Sequence, residues 1–150
     1  MINRFEQFSA SISNIYKAIQ KIERAEMAKF HLRGPHVQCL VALLRNPDGL
    51  SLTRLGDTCE KDKAAISRAI SELEQKGLVY RAVSPERSYR TPILLTEAGQ
   101  DVSQRISAVL ESAVEEAGQG LAAGERETLY YALEKIEANL RKISETGVKG

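Results

Sequence analysis

The sequence predicts a mainly α-helical fold with a small β-hairpin, and three observations predict it. Apolar residues recur at helical spacing in two long segments, 5–22 and 129–143. Between them, shorter helical periods are broken by turn signals at Gly34-Pro35, Asn46-Pro47-Asp48-Gly49 and Gly77. The period then changes to that of strands over 78–83 and 91–95, on either side of the polar stretch 84–90.

In the first segment Phe5, Phe8, Ile12, Ile15, Ile19 and Ile22 form a narrow apolar seam with alternating steps of three and four residues. Such a seam suits packing against other long helices. Pro35 is placed for the first turn of a second helix, which buries Val37, Leu40, Val41 and Leu44. Leu50-Ser51-Leu52 reads as a very short extended piece. Thr53 is the expected N-cap of a third helix, with Leu55 turned inward and Arg54 outward. Asp62 is the expected N-cap of a fourth, in which Ile66, Ala69, Ile70 and Leu73 share one face. Gly77 supplies the left-handed residue that ends it. Pro92 has no N–H for a ladder, which places the return strand at an edge. Thr96 is expected to cap a long helix bearing Val102, Ile106, Val109 and Ala113. A break at Gly118-Gln119-Gly120 and Gly124 precedes the last helix, whose seam is Leu129, Leu133, Ile136, Leu140 and Ile143. The expected organisation is an N-terminal helix over 1–33, a lobe over 34–96 and C-terminal helices over 97–150, forming one intertwined domain.

The 150 residues suffice for one compact core, and the apolar share of 43% and charged share of 27% are ordinary for a globular protein. Aromatics make up only 5% with no Trp, which argues against stacking platforms for single-stranded nucleic acid. The longest apolar run, Cys39-Leu40-Val41-Ala42-Leu43-Leu44, is far short of the roughly 20 residues that span a membrane. No apolar stretch follows the early charge in Met1-Ile2-Asn3-Arg4-Phe5-Glu6, so no signal peptide, no membrane partner and a cytoplasmic location are expected.

The sequence shows no Gly-rich phosphate loop, no His-Glu metal motif and no Ser or Cys beside an evident His base. Neither an enzyme nor a cofactor is therefore expected. His36 and Cys39 make an H-x-x-C pair, but no second pair stands near to complete a metal site. Cys39 and Cys59 lack CxxC spacing, so they read as two small core side chains rather than a disulfide. A redox-responsive thiol is the alternative.

Net charge is only +1, but its distribution is uneven. Residues 61–90 carry seven basic against four acidic side chains, a net of +3, whereas 108–150 carry five against eight, a net of −3. A basic middle suits contact with phosphates. Two short helices followed at once by a hairpin make a winged helix-turn-helix. Its second helix can enter a DNA major groove while the hairpin loop reaches the backbone or minor groove. On that helix Lys63, Ala64, Ser67, Arg68 and Ser71 lie away from the apolar face, with Lys61 just before them. The lysines can neutralise phosphates, Arg68 can do so or pair with a guanine edge, and the small residues permit close approach. Thr53 and Arg54 offer contacts at the start of the motif. Arg87, Ser88, Tyr89 and Arg90 offer them from the loop. A plain amphipathic helix facing water is the alternative for the helix alone, and a winged-helix module that binds protein for the whole.

The stretch Leu55-Gly56-Asp57-Thr58-Cys59-Glu60-Lys61-Asp62-Lys63-Ala64-Ala65-Ile66-Ser67-Arg68 resembles the helix-turn-helix of the MarR (multiple antibiotic resistance regulator) family. Leu73-Glu74-Gln75-Lys76-Gly77-Leu78-Val79-Tyr80-Arg81 resembles that family's helix end and first wing strand, and Leu95-Thr96-Glu97-Ala98-Gly99 its motif closing the wing. The wing departs from the usual Asp-Pro-x-Asp-Arg-Arg type loop, since Ser84-Pro85-Glu86-Arg87-Ser88-Tyr89 is followed by a displaced Arg90. Either Arg87 or Arg90 is the expected minor-groove residue, and Tyr89 packs the loop or meets a phosphate. The resemblance implies a regulator of transcription, by default a repressor, that binds double-stranded DNA as a symmetric homodimer. Phe5, Phe8, Ile12, Ile15 and Ile19 would interlock with Leu133, Ile136, Leu140 and Ile143 across the pair. A single-chain bundle of the long helices is the alternative. The resemblance further implies release of DNA by a small aromatic or anionic effector, for which Tyr16, Arg33 and His36 are the candidate residues.

Overall fold

The computed structural model describes residues 3–82 and 90–149. Six helices and two strands follow in the order α1 (Arg4–Ala28), α2 (Gly34–Leu44), α3 (Leu52–Cys59), α4 (Lys63–Gln75), β1 (Val79–Arg81), β2 (Ile93–Leu95), α5 (Glu97–Ala117) and α6 (Ala123–Thr146). The chain forms one compact unit through Glu111 and a second from Ser112 onward.

In the first unit the core lies among α2, α3, α4 and the hairpin. Leu40, Leu55, Ile66, Ile70, Leu73, Ile93 and Ile106 are fully buried there. Each such side chain contributes about 1.5–3 kcal/mol by leaving water. The apolar spacing of α4 explains its placement, since Ile66, Ala69, Ile70 and Leu73 form its buried face. The end of α1 joins the core through Met27, with Phe30 and Leu32 following.

The strands pair antiparallel, with Val79 opposite Leu95, Tyr80 opposite Leu94 and Arg81 opposite Ile93. The return strand is not an edge, contrary to the expectation from Pro92. Ile93 donates its N–H to Leu50 O at 2.9 Å and accepts from Leu50 N at 3.1 Å, so β2 lies between β1 and the extended residue Leu50. Pro92 is tolerated because it precedes this exchange, and its carbonyl accepts from Ala82 N at 2.9 Å.

The hairpin is bound to the start of α5 by Thr96. Its hydroxyl donates to Gly77 O at 2.6 Å and accepts from Gly99 N at 3.0 Å, serving as the expected cap. Glycine is required at 99, because a Cβ there would lie 1.8 Å from Leu78 O. Leu78 and α5 can approach only over a bare backbone.

The second unit holds the end of α5 and all of α6. Arg126 donates to the Glu115 carboxylate at 2.5 Å and to its backbone carbonyl at 3.0 Å, closing the turn. Of the glycines expected to break the chain here, Gly118 and Gly120 do so, whereas Gly124 lies in the first turn of α6.

Candidate nucleic-acid interface

The helix-turn-helix is assembled by local capping. Ser51, not Thr53, begins α3: its side chain accepts from Arg54 N at 3.2 Å. Thr53 therefore sits one position into the helix, exposed beside Arg54. After Cys59 the chain turns through Glu60 in the left-handed region, φ 52°, and Lys61 N donates to Gly56 O at 3.1 Å. Asp62 then begins α4 as expected, its Oδ1 accepting from Ala65 N at 2.7 Å.

This turn leaves one face of α4 open. Lys61, Lys63, Ala64, Arg68 and Ser71 are exposed and Ser67 is half-buried. Among the described residues no ion pair or side-chain hydrogen bond holds Arg54, Lys63 or Arg68. The face thus offers mobile cations beside small side chains, a surface able to approach a polyanion closely.

The far end of α4 is fixed on both flanks. Glu74 accepts from Arg81 Nε at 2.7 Å, tying the helix to the first strand of the hairpin. That pair removes Arg81 from the supply of free positive charge. Glu72 meets His36 Nε2 at 2.5 Å, tying the helix to α2. His36 Nδ1 accepts from Arg33 N at 3.0 Å, so the side chain also caps α2. Arg90 is exposed; Arg87, Ser88 and Tyr89, with Val83 of the expected first strand, lie outside the described residues.

Two of the three candidate effector residues come together. Arg33 and His36 line a polar hollow of about 310 Å³ with His31, Glu72, Gln75 and Lys76. Tyr16 does not line it and stands exposed on α1. The expected seams are also largely exposed within the single chain: Phe5, Phe8, Ile12, Ile15 and Ile19 on α1, and Leu133, Leu140 and Ile143 on α6, with Ile136 half-buried.

Sequence reasoning missed the pairs His36–Glu72 and Glu74–Arg81. The first joins residues 36 positions apart, which no local pattern reports. The second had a signal in the opposite charges flanking Gly77, but charge alone does not reveal a partner.

No helix among the described residues is long and apolar enough to cross a membrane. The MarR family model matches residues 32–87, from the approach to α2 into the hairpin. An uncharacterized HTH-type transcriptional regulator of Bacillus subtilis, YybA, is 25% identical over 139 residues, 93% of this chain and 92% of its own. A MarR-family transcriptional regulator from Silicibacter pomeroyi superposes with a TM-score of 0.71 at 28% identity, covering 85% of this chain and 86% of that one. A Listeria monocytogenes protein described as a MarR-family transcriptional regulator, solved in complex with 26mer DNA, superposes with a TM-score of 0.76 at 25% identity. That match covers 100% of this chain and 99% of the other. The family match falls on the helix-turn-helix that these caps and ion pairs build, and the relatives extend the likeness over the long helices: the chain belongs to the MarR family of winged-helix transcription regulators.

Proposed function

We propose that this protein is a cytoplasmic homodimeric repressor that binds a pseudo-palindromic site in double-stranded DNA. The observation that carries the reading is the open face of α4, where Lys63 and Arg68 project unpaired beside Ala64 and Ser71. In this reading α4 is the recognition helix. Lys61 and Lys63 neutralise phosphates, Arg68 reads a base edge or a phosphate, and Thr53 and Arg54 contact the backbone from α3. Arg90 acts from the wing, with Arg87, Ser88 and Tyr89.

Homodimerisation is supported by the apolar seams of α1 and α6, which a monomer leaves in water. A two-fold axis would set two α4 helices about 34 Å apart, one turn of DNA. Repression needs no further device, because a dimer seated on a promoter excludes polymerase by occupancy. Release by a small anionic or aromatic effector is supported by the hollow beside α4, where Arg33 and Lys76 supply positive charge.

The test is selection of bound duplexes from the source genome, followed by titration of the enriched sequence at rising salt. The expected result is an inverted repeat whose affinity falls steeply with salt. Absence of salt-dependent duplex binding would overturn the reading in favour of a protein-binding module.

A further inference from the structure

The two cysteines lie 20 positions apart in sequence, yet the fold brings them together. Cys39 is fully buried on α2, and Cys59 is the half-buried last residue of α3, packed on the same core. Both are free thiols, and their side chains are hydrogen-bonded to each other. Only Glu60, Lys61 and Asp62 separate Cys59 from the first residue of α4.

We infer that Cys39 and Cys59 form a peroxide-reactive dithiol in which Cys59 is attacked first and Cys39 closes an intrachain disulfide. The partial exposure of Cys59 leaves its sulfur within reach of a small hydroperoxide, whereas the buried Cys39 is reached only by its neighbour. Their electrostatics divide the roles in the same way. The hydrogen bond from Cys39 lowers the Cys59 thiol below its ordinary value, against its partial burial, and the charge of Lys61 lowers it further. Hydrogen bonding to Cys59 and burial push Cys39 far above the ordinary thiol range. Cys59 is the thiolate, and Cys39 is the protonated partner.

The Cys59 thiolate attacks one peroxide oxygen, the O–O bond breaks, and an alcohol or water departs after taking up a proton. Cys59 is then a sulfenic acid. The Cys39 sulfur attacks the Cys59 sulfur, and the sulfenic oxygen leaves as water, carrying the Cys39 proton. In total two thiols lose two electrons and two protons, and one hydroperoxide becomes alcohol and water. The new bond draws the sulfurs to about 2.05 Å and fastens the end of α3 to α2, directly before the turn into α4. The chemistry does not depend on the DNA-binding reading.

The experiment treats the full-length native protein with hydrogen peroxide and follows it by intact mass, peptide mapping and non-reducing electrophoresis. The expected product is a monomeric polypeptide lighter by two hydrogens, with peptides 39 and 59 linked and restored by dithiothreitol. Cys39→Ser should stop at a Cys59 sulfenic acid that dimedone traps, and Cys59→Ser should lose peroxide reactivity. A wild-type chain that instead gains oxygen, or becomes a disulfide-linked dimer, overturns the inference. So does Cys59→Ser protein that reacts as fast as wild type.

Discussion

His36 Nε2 lies 2.5 Å from Glu72 Oε2, joining the first turn of α2 to the helix that presents Arg68. Because His36 Nδ1 accepts from Arg33 N, the proton of the neutral ring must sit on Nε2 and point at the carboxylate. One buried imidazole thus caps α2 and anchors α4. Replacing it with Ala leaves the Arg33 N–H without its acceptor and removes the anchor. We predict that His36→Ala lowers stability by about 1–3 kcal/mol in urea unfolding. Glu72→Gln, which keeps a carbonyl acceptor on a half-exposed side chain, should cost less than about 1 kcal/mol. Equal stability of wild type and His36→Ala would show that the contact carries no weight.

Gly99 is the second structural test. With Leu78 O only 1.8 Å from the position of a Cβ, even alanine must force α5 off the hairpin. That movement would strain the Thr96 hydroxyl bonds to Gly77 and Gly99. Gly99→Ala should cost about 3 kcal/mol or more, at the high end for overpacking. Gly34→Ala is the control, since its Cβ would enter open space. Thermal unfolding of the two proteins should separate clearly, and coincident melts would refute the steric argument.

How far the fold was legible follows from the range of each interaction. The apolar period of α4, its Asp62 cap and its Gly77 terminator are local, and each stands where the sequence placed it. The start of α3 was misplaced because both Ser51 and Thr53 are competent caps, and only the backbone decides between them. The edge assignment of β2 failed because Leu50, 43 positions away from Ile93, supplies the second partner. The cysteine contact was invisible for a like reason: spacing describes neighbours along the chain, whereas α2 packing on α3 brings Cys39 to Cys59. Arg68 and its small neighbours were visible as a polar face, but the absence of any partner for Arg68 required the fold.

That unpaired state underlies the prediction for DNA. Arg68 is exposed and holds nothing in the free protein, so its removal leaves no buried group stranded. Arg68→Ala should weaken operator binding by about 1–3 kcal/mol while secondary structure and sedimentation stay unchanged. If gel-shift titration gives the wild-type affinity, Arg68 is not a DNA contact.

Cys59 gives a prediction in pH. Its thiol titrates below the ordinary value chiefly because Cys39 donates to the thiolate. Alkylation by iodoacetamide requires that thiolate, so its rate should rise with pH and level off earlier than for a free thiol. Cys39→Ala removes the donor and should move the inflection to higher pH. Overlapping rate profiles for wild type and variant would exclude Cys39 as the cause.

The seams of α1 and α6 provide the remaining test. Ile15 and Leu140 are 58% and 51% exposed, so in an isolated chain an aspartate at either site meets mostly water and costs little. In a dimer that covers the seams, the same aspartates would bring unpaired carboxylates into an apolar interface, at several kcal/mol each. The combined Ile15→Asp and Leu140→Asp protein should therefore sediment as a monomer while retaining its helical circular dichroism. Operator affinity should fall with it, because each monomer presents a single α4 to a repeated site. A doubly substituted protein that still sediments as a dimer would remove these faces from the interface and require another surface to join the two subunits.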